Sequence, residues 1–293
     1  MSTLMPSTLP RSANLVHVRA PRVDRSDPAL REPLARLTAI GEPLACQAAV
    51  MALLVNPQSL RERAVWDEFA HELPLARRLY DDIALLPSHR RLPWLEHFAR
   101  ALASHPVAVR HALIDATRRM MTADGLVSHL DQLRWIALRH LLAGSAVAPP
   151  APANSELESL DADQARSVCL YAAFLSHLVP APELTLDLTG YEAVGQQWYD
   201  TVTAAWEARI ERPARLGHDI DATLRALRLL QTLPWLLRPV LVRSWFDAAR
   251  ALTEGPALHA VAADALRLSC VLLDSPVPPE LAQQYIEVDP PRH

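Results

Sequence analysis

Lysine is absent from all 293 residues, so each of the 29 basic side chains is arginine. Thirty-three acids outnumber them, and the formal charge of −4 excludes a global attraction to nucleic acid or anionic lipid. GC-rich coding accounts for the missing lysine, given the abundance of Ala, Leu, Pro and Arg. A sharper reading is selection against lysine modification in a protein delivered into a host cell. Glycine is scarce at seven and aromatics reach only 5%, which disfavours strands and leaves helices as the expected element. Cys46, Cys169 and Cys270 are odd in number, far apart and form no CxxC. That spacing argues against a disulfide framework and a cysteine zinc site, and a reducing cytoplasm is the expected home. No uncharged apolar run reaches ~18 residues, and the start lacks the apolar core of a secretory signal.

What the chain has is apolar mass: half of it is hydrophobic, mostly Leu, Ala and Val, with 25 prolines as punctuation. The length exceeds what one core comfortably organises, which predicts two lobes. Residues 1–26 read as a disordered arm, 27–144 as a first helical lobe, 145–160 as a Pro/Ala-rich linker, 161–279 as a second lobe and 280–293 as a tail. Within the first lobe, Pro43 to Val55 is apolar on nearly all sides, the mark of a buried helix. Asn56-Pro57 is expected to open a helix to Leu73, and Pro74 another to Leu86. Pro87 to Arg91 reads as a polar loop before helices at Pro93 to Ala103 and Pro106 to Met121.

Asp124-Gly125 closes the last of these, and Ser128 with Asp131 has the spacing of a capping box for the next helix, which ends near Gly144. In the second lobe Asp161 caps a helix to Val179, and Pro180 to Gly190 reads as an extended loop. Helices follow at Tyr191 to Arg209, Asp219 to Gln231, Pro234 to Leu252 and Leu258 to Leu273. Two echoes stand out: LPWL at Leu92 to Leu95 and again at Leu233 to Leu236, and a helix–acidic-Gly–helix unit at Asp124-Gly125 and Glu254-Gly255. The second echo predicts two related lobes.

Four stretches carry a family resemblance: ACQAAVMALLV from Ala45, RRLPWLEHFARAL from Arg90, MTADGLVSHLDQLRWIALRHLL from Met121, and ADALRLSCVLLDSPVPP from Ala263. Together, over Gly41 to Pro279, they resemble the cytosolic C-terminal region of bacterial HtpX-type membrane zinc metalloproteases, which holds helical repeats similar to TerB, the tellurite-resistance domain. The resemblance implies an all-α fold of two TerB-like bundles in tandem. The protease motif HExxH does not accompany it: His71-Glu72-Leu73-Pro74-Leu75 has no second His and breaks the helix with proline. The second repeat also departs, with Glu254 for Asp and Ala262 where a helix-opening Glu is expected. The implied role is that of the non-catalytic appendage alone.

Candidate chemistry is sparse. Asp124 and Asp131 flank a Gly turn and offer hard oxygens to a cation, as the resemblance allows, but the DxDxDG spacing is missing, so capping is the expected role of Ser128, Asp131 and Gly125. His97, His105 and His111 lack the spacing of a helical metal pair. No GxSxG elbow appears, which leaves an enzyme only if its site assembles in space. The seven Trp, at 66, 94, 135, 198, 206, 235 and 245, are expected in the core. The Arg doublets Arg77-Arg78, Arg90-Arg91 and Arg118-Arg119 read as solvated faces, with a phosphate- or partner-binding groove as the alternative, for which Arg90, Arg91, Arg118 and Arg119 are the candidates. Arg11, Arg19, Arg22 and Arg25 on the arm suit peripheral contact with an acidic surface or membrane. The expectation is a cytoplasmic, cofactor-free module that binds a protein partner, with a membrane protease as the candidate the resemblance implies. A secreted effector and an enzyme with an unrecognised site are the alternatives.

Overall fold

The computed structural model describes residues 27–143, 156–179, 188–215 and 220–288, with side chains of the third segment from 192. Among these residues the structure is all-α, without a strand. The first half runs α1 (Pro28–Thr38), α2 (Pro43–Leu54), α3 (Leu60–Phe69), α4 (Ala76–Ala84), α5 (Ser88–Ala103), α6 (Val107–Met121) and α7 (His129–Ala143). The second runs α8 (Ala162–Leu175), α9 (Leu188–Thr203), α10 (Ile220–Leu230), α11 (Leu237–Ala251), α12 (Ala260–Leu272) and α13 (Pro279–Ala282).

α2 is apolar around its whole circumference and is accordingly buried from Cys46 to Val55. Gln47, the polar residue in that run, satisfies its amide by donating to the Val109 carbonyl at 2.9 Å. α2 packs on α5, α4 and α6; α3 packs on α6, and α6 on α7. A similar order of neighbours recurs in the second half, where α8 packs on α10 and α9, α9 on α11, and α11 on α12. The halves meet where α12 lies against α7 and α5, and one continuous apolar core runs through both. Five of the seven Trp are buried in it (Trp66, Trp94, Trp198, Trp206 and Trp245). Trp66 donates its indole N–H to the Ala48 carbonyl at 2.8 Å, which ties α3 to α2. Gly195 on α9 is needed for close approach: a Cβ there would collide with the Ser176 carbonyl and the Arg215 guanidinium.

Several boundaries differ from expectation for identifiable reasons. Asn56 does not cap a helix; its side chain accepts from the Gln58 amide in a local turn, and Ser59 is the N-cap, accepting from Glu62 N. α3 stops at Phe69, and Pro74 sits in the turn before α4. Residues 88–91, expected in a loop, form the first turn of α5, and Pro93 lies inside that helix. Proline has no N–H for the His89 carbonyl four residues back. That carbonyl accepts instead from Ile286 N at 3.2 Å, so the helix defect becomes an anchor for the end of the chain.

Trp235 is also misplaced by the core expectation, being 66% exposed, and Trp135 is only partly buried. The tail expected at 280–293 is, through Val288, part of the packed body: Leu281 and Tyr285 are buried. Residues 156–160 of the expected linker make a short 3-10 turn that buries Leu160. The rest of that linker, the arm at 1–26 and most of the stretch read as a loop at 180–190 lie outside the described residues.

Candidate functional site

Three regions gather the chemistry the chain has. The first is the Asp-Gly turn between α6 and α7. Gly125 takes φ +79°, the left-handed conformation that ends a helix cheaply only at glycine. Asp124 Oδ1 accepts from Leu126 N at 2.9 Å, and this hydrogen bond is the main reason its carboxyl is held below the ordinary value. Asp131 Oδ2 accepts from Ser128 N at 3.2 Å and from its hydroxyl at 2.6 Å, while Ser128 Oγ accepts from Asp131 N at 3.1 Å. Asp131 thus serves backbone and hydroxyl donors of its own turn, Asp124 serves the Leu126 amide and the Ser59 hydroxyl, and no group of three metal-capable side chains forms among the described residues. A 730 Å³ cleft opens beside the turn, lined by Arg91, Arg134, Ser128 and Asp131.

The Arg doublets separate sharply. Arg90 is buried at 5% exposure. Arg91 is half-buried and donates to the Ile83 and Leu53 carbonyls, each at 3.3 Å, where desolvation lowers its pKa. Arg90 is thus taken into the core, while Arg91 is anchored on two carbonyls and still lines the cleft beside the Asp-Gly turn. Arg118 and Arg119, in the last turn of α6, are exposed. Arg118 lines a 180 Å³ apolar groove with Met121, Val127, Trp135, Ile136 and Ile220. His71 and Glu72 lie in the exposed turn after α3, 3.8 Å apart.

The second region is the seam between the halves. Arg267 of α12 and Glu96 of α5, each 4% exposed by side chain, pair at 2.7 Å, and Arg267 also grips Glu287 with both terminal nitrogens at 2.6 and 2.9 Å. Tyr285 stacks under that guanidinium at 4.6 Å and donates its hydroxyl to Asp264, which in turn takes Arg134 of α7 at 3.1 Å. A cleft of 370 Å³ beside this network is lined by Glu96, Arg100, His140, Cys270 and Asp274.

The residue types in that cleft invite a nucleophile reading, which the geometry refuses. Burial pushes the Cys270 thiol up to about 12, so it stays protonated and unreactive at neutral pH. Gln231 Nε2 donates to the Leu272 carbonyl at 2.8 Å, which fixes the amide so that the same nitrogen faces His140 Nδ1 at 3.3 Å. His140 Nδ1 therefore accepts, and its Nε2–H donates to Asp274 Oδ1 at 3.1 Å. The histidine is engaged on both sides as a latch between α7 and the end of α12. Cys46 and Cys169 are likewise buried, each pushed up to about 11.

The third region is a 360 Å³ apolar groove between α1, α2 and α4, with Leu37, Ile40, Leu73, Leu75 and Leu79 among its walls. Its floor carries a neutralised pair, Arg36 with both carboxylate oxygens of Asp82 at 2.7 and 2.6 Å. Sequence reasoning missed this groove and the seam alike. Arg78 and the exposed Leu75 mark the groove's rim, but only tertiary packing makes a rim of them. Comparison with known proteins finds no family model, no curated protein and no solved structure that matches the chain.

Proposed function

We propose that this protein is a non-catalytic helical module that binds another protein, as a regulatory or scaffold partner of a membrane protease or envelope system. The observation that carries the reading is the contrast between its clefts. The polar clefts are lined by groups already satisfied by one another, while the apolar grooves stand open, with cationic rims formed by Arg78 and by Arg118. Open apolar concavities bordered by charge are what helical bundles offer to partner segments. The protease association rests on the resemblance of the Asp-Gly turn and neighbouring helices to TerB-like regions of HtpX-type proteases.

Affinity capture of the tagged protein from its native cell, with identification of what is retained, tests the proposal. Recovery of a membrane protease with stoichiometric yield supports it. Isolation of a lone monomer that turns over a metabolite overturns it.

A further inference from the structure

We propose that the groove between α1, α2 and α4 is the docking site for an acidic amphipathic segment of a partner protein, with a carboxylate set on Arg78 and apolar side chains in the groove. This deepens the binding-module reading and rests on it. The groove volume, 360 Å³, lies in the range of pockets that take bulky apolar groups. Its lip is Leu75, 66% exposed immediately before α4, an apolar side chain with no internal packing to explain it.

Charge selects the occupant. Arg77 and Arg78 are exposed on the first turn of α4, where acids are favoured by the helix dipole; that turn holds no acid, and no side chain caps it. Neither guanidinium has a carboxylate partner among the described residues. Of the charged residues that line the groove, Arg36 and Asp82 are committed to each other, which leaves Arg78 as the unpaired charge of the lining. The chain's own start is a poor occupant, because residues 1–26 bring Arg11, Arg19, Arg22 and Arg25 against Asp24 alone. A second copy docked groove to groove would set one Arg78 near another. An external segment with Leu on one face and Glu or Asp on the other satisfies the walls and the rim together.

The test uses the full chain and two labelled synthetic helices with the same Leu face, one with a Glu polar face and one with Lys. Fluorescence anisotropy is expected to show binding of the Glu helix only, weakening as salt rises. Leu75→Glu and Arg78→Glu should each weaken it by about tenfold or more, whereas Val240→Glu, on an exposed position of α11 away from both apolar grooves, should leave it unchanged. All these positions are exposed, and circular dichroism checks that the variants stay folded. Equal binding of the Lys helix, indifference to Leu75→Glu, or no binding of either helix overturns the proposal. Native capture with the same variants separates the two readings. A partner retained equally by wild type and by Leu75→Glu removes this groove but leaves the module reading, and no retained partner removes the module reading itself.

Discussion

The α6–α7 unit and the α11–α12 unit both turn on an acidic residue followed by glycine, yet only the first needs the glycine. Gly125 is left-handed at φ +79°, and the capping box of Ser128 and Asp131 follows it. Gly255 has no positive φ; its carbonyl is held by Arg250 at 2.7 Å, and His259 serves as N-cap. In the second unit the left-handed residue has moved to the other end of the helix, at Asp274 with φ 47°. A shared dipeptide therefore does not carry a shared conformation. The second unit places its strained residue where the side chain reaches α7 across the seam, whereas the first uses its turn only to reverse the chain.

The largest expected effect comes from breaking the seam that sets these units face to face. Arg267→Ala removes the buried cation that Glu96 and Glu287 share, leaving Glu96 only the exposed Arg100, and should cost about 3–5 kcal/mol in chemical denaturation. Arg243→Ala, which removes exposed pairs with Asp247 and Glu280, should cost about 1 kcal/mol or less. Equal losses at both positions would mean that apolar contact alone joins the halves.

The two turns can be compared directly by adding the same methyl group. A Cβ on Gly125 meets nothing within 4 Å, and one on Gly255 only the Ala257 carbonyl at 3.8 Å, so space is not at issue at either site. Gly125→Ala must hold a left-handed backbone and should cost about 1–2 kcal/mol. Gly255→Ala should be neutral or stabilise by up to ~1 kcal/mol through the unfolded chain. Similar midpoints for both variants would show that the turns are conformationally equivalent after all.

Beside the first turn, Glu62 adds a pH dependence that the second lacks. Burial lifts its carboxyl above the ordinary value, opposed by the Asn56 amide it accepts from at 2.7 Å and reinforced by the charges of Asp124 and Asp131. A raised carboxyl means that the native state keeps its proton to higher pH than the unfolded chain does. Its ionisation therefore costs stability, a cost that grows as pH rises from the unfolded value near ~4.3 to the higher native value and then stays constant. Glu62→Gln should raise the thermal midpoint by a degree or two at neutral pH and leave it unchanged well below pH ~4. A constant gain at all pH values would assign the effect to packing instead.

The helical class was legible from scarce glycine and Leu/Ala mass, and the burial of α2 from an apolar circumference at Cys46 to Val55. The capping box at Ser128 was legible because its partners are three residues apart. What failed was non-local. Pro93 looks like a helix start, and only the Ile286 amide, 193 residues further on, lets it sit inside α5. LPWL is buried in one copy and half outside in the other, with Trp94 at 4% and Trp235 at 66% exposure, because the first lies within a core helix and the second in the turn before α11. Arg90 and Arg91 look like a cationic face until α2 and α4 supply carbonyls to hold Arg91. Such residues are assigned by partners distant in sequence, and no local pattern encodes them.

Asp274 offers the smallest and most discriminating measurement. It closes α12 with Ser275 N bonded to the Cys270 carbonyl at 2.9 Å and its own N–H to the Val271 carbonyl at 3.2 Å, a geometry that glycine adopts most cheaply. Asp274→Gly should regain about 1 kcal/mol of backbone strain while losing the contact with His140, worth about 0.5–1 kcal/mol at a partly exposed site. The expected net change is within ~0.5 kcal/mol of zero. Asp274→Asn keeps an acceptor for His140 and tolerates the backbone, so it too should stay near wild type. Asp274→Ala keeps the strained backbone and loses the contact, so it should fall by about 0.5–1 kcal/mol. If Asp274→Gly instead gains the full ~1 kcal/mol, the His140 contact contributes nothing, and the strained residue is not what ties the end of α12 to α7.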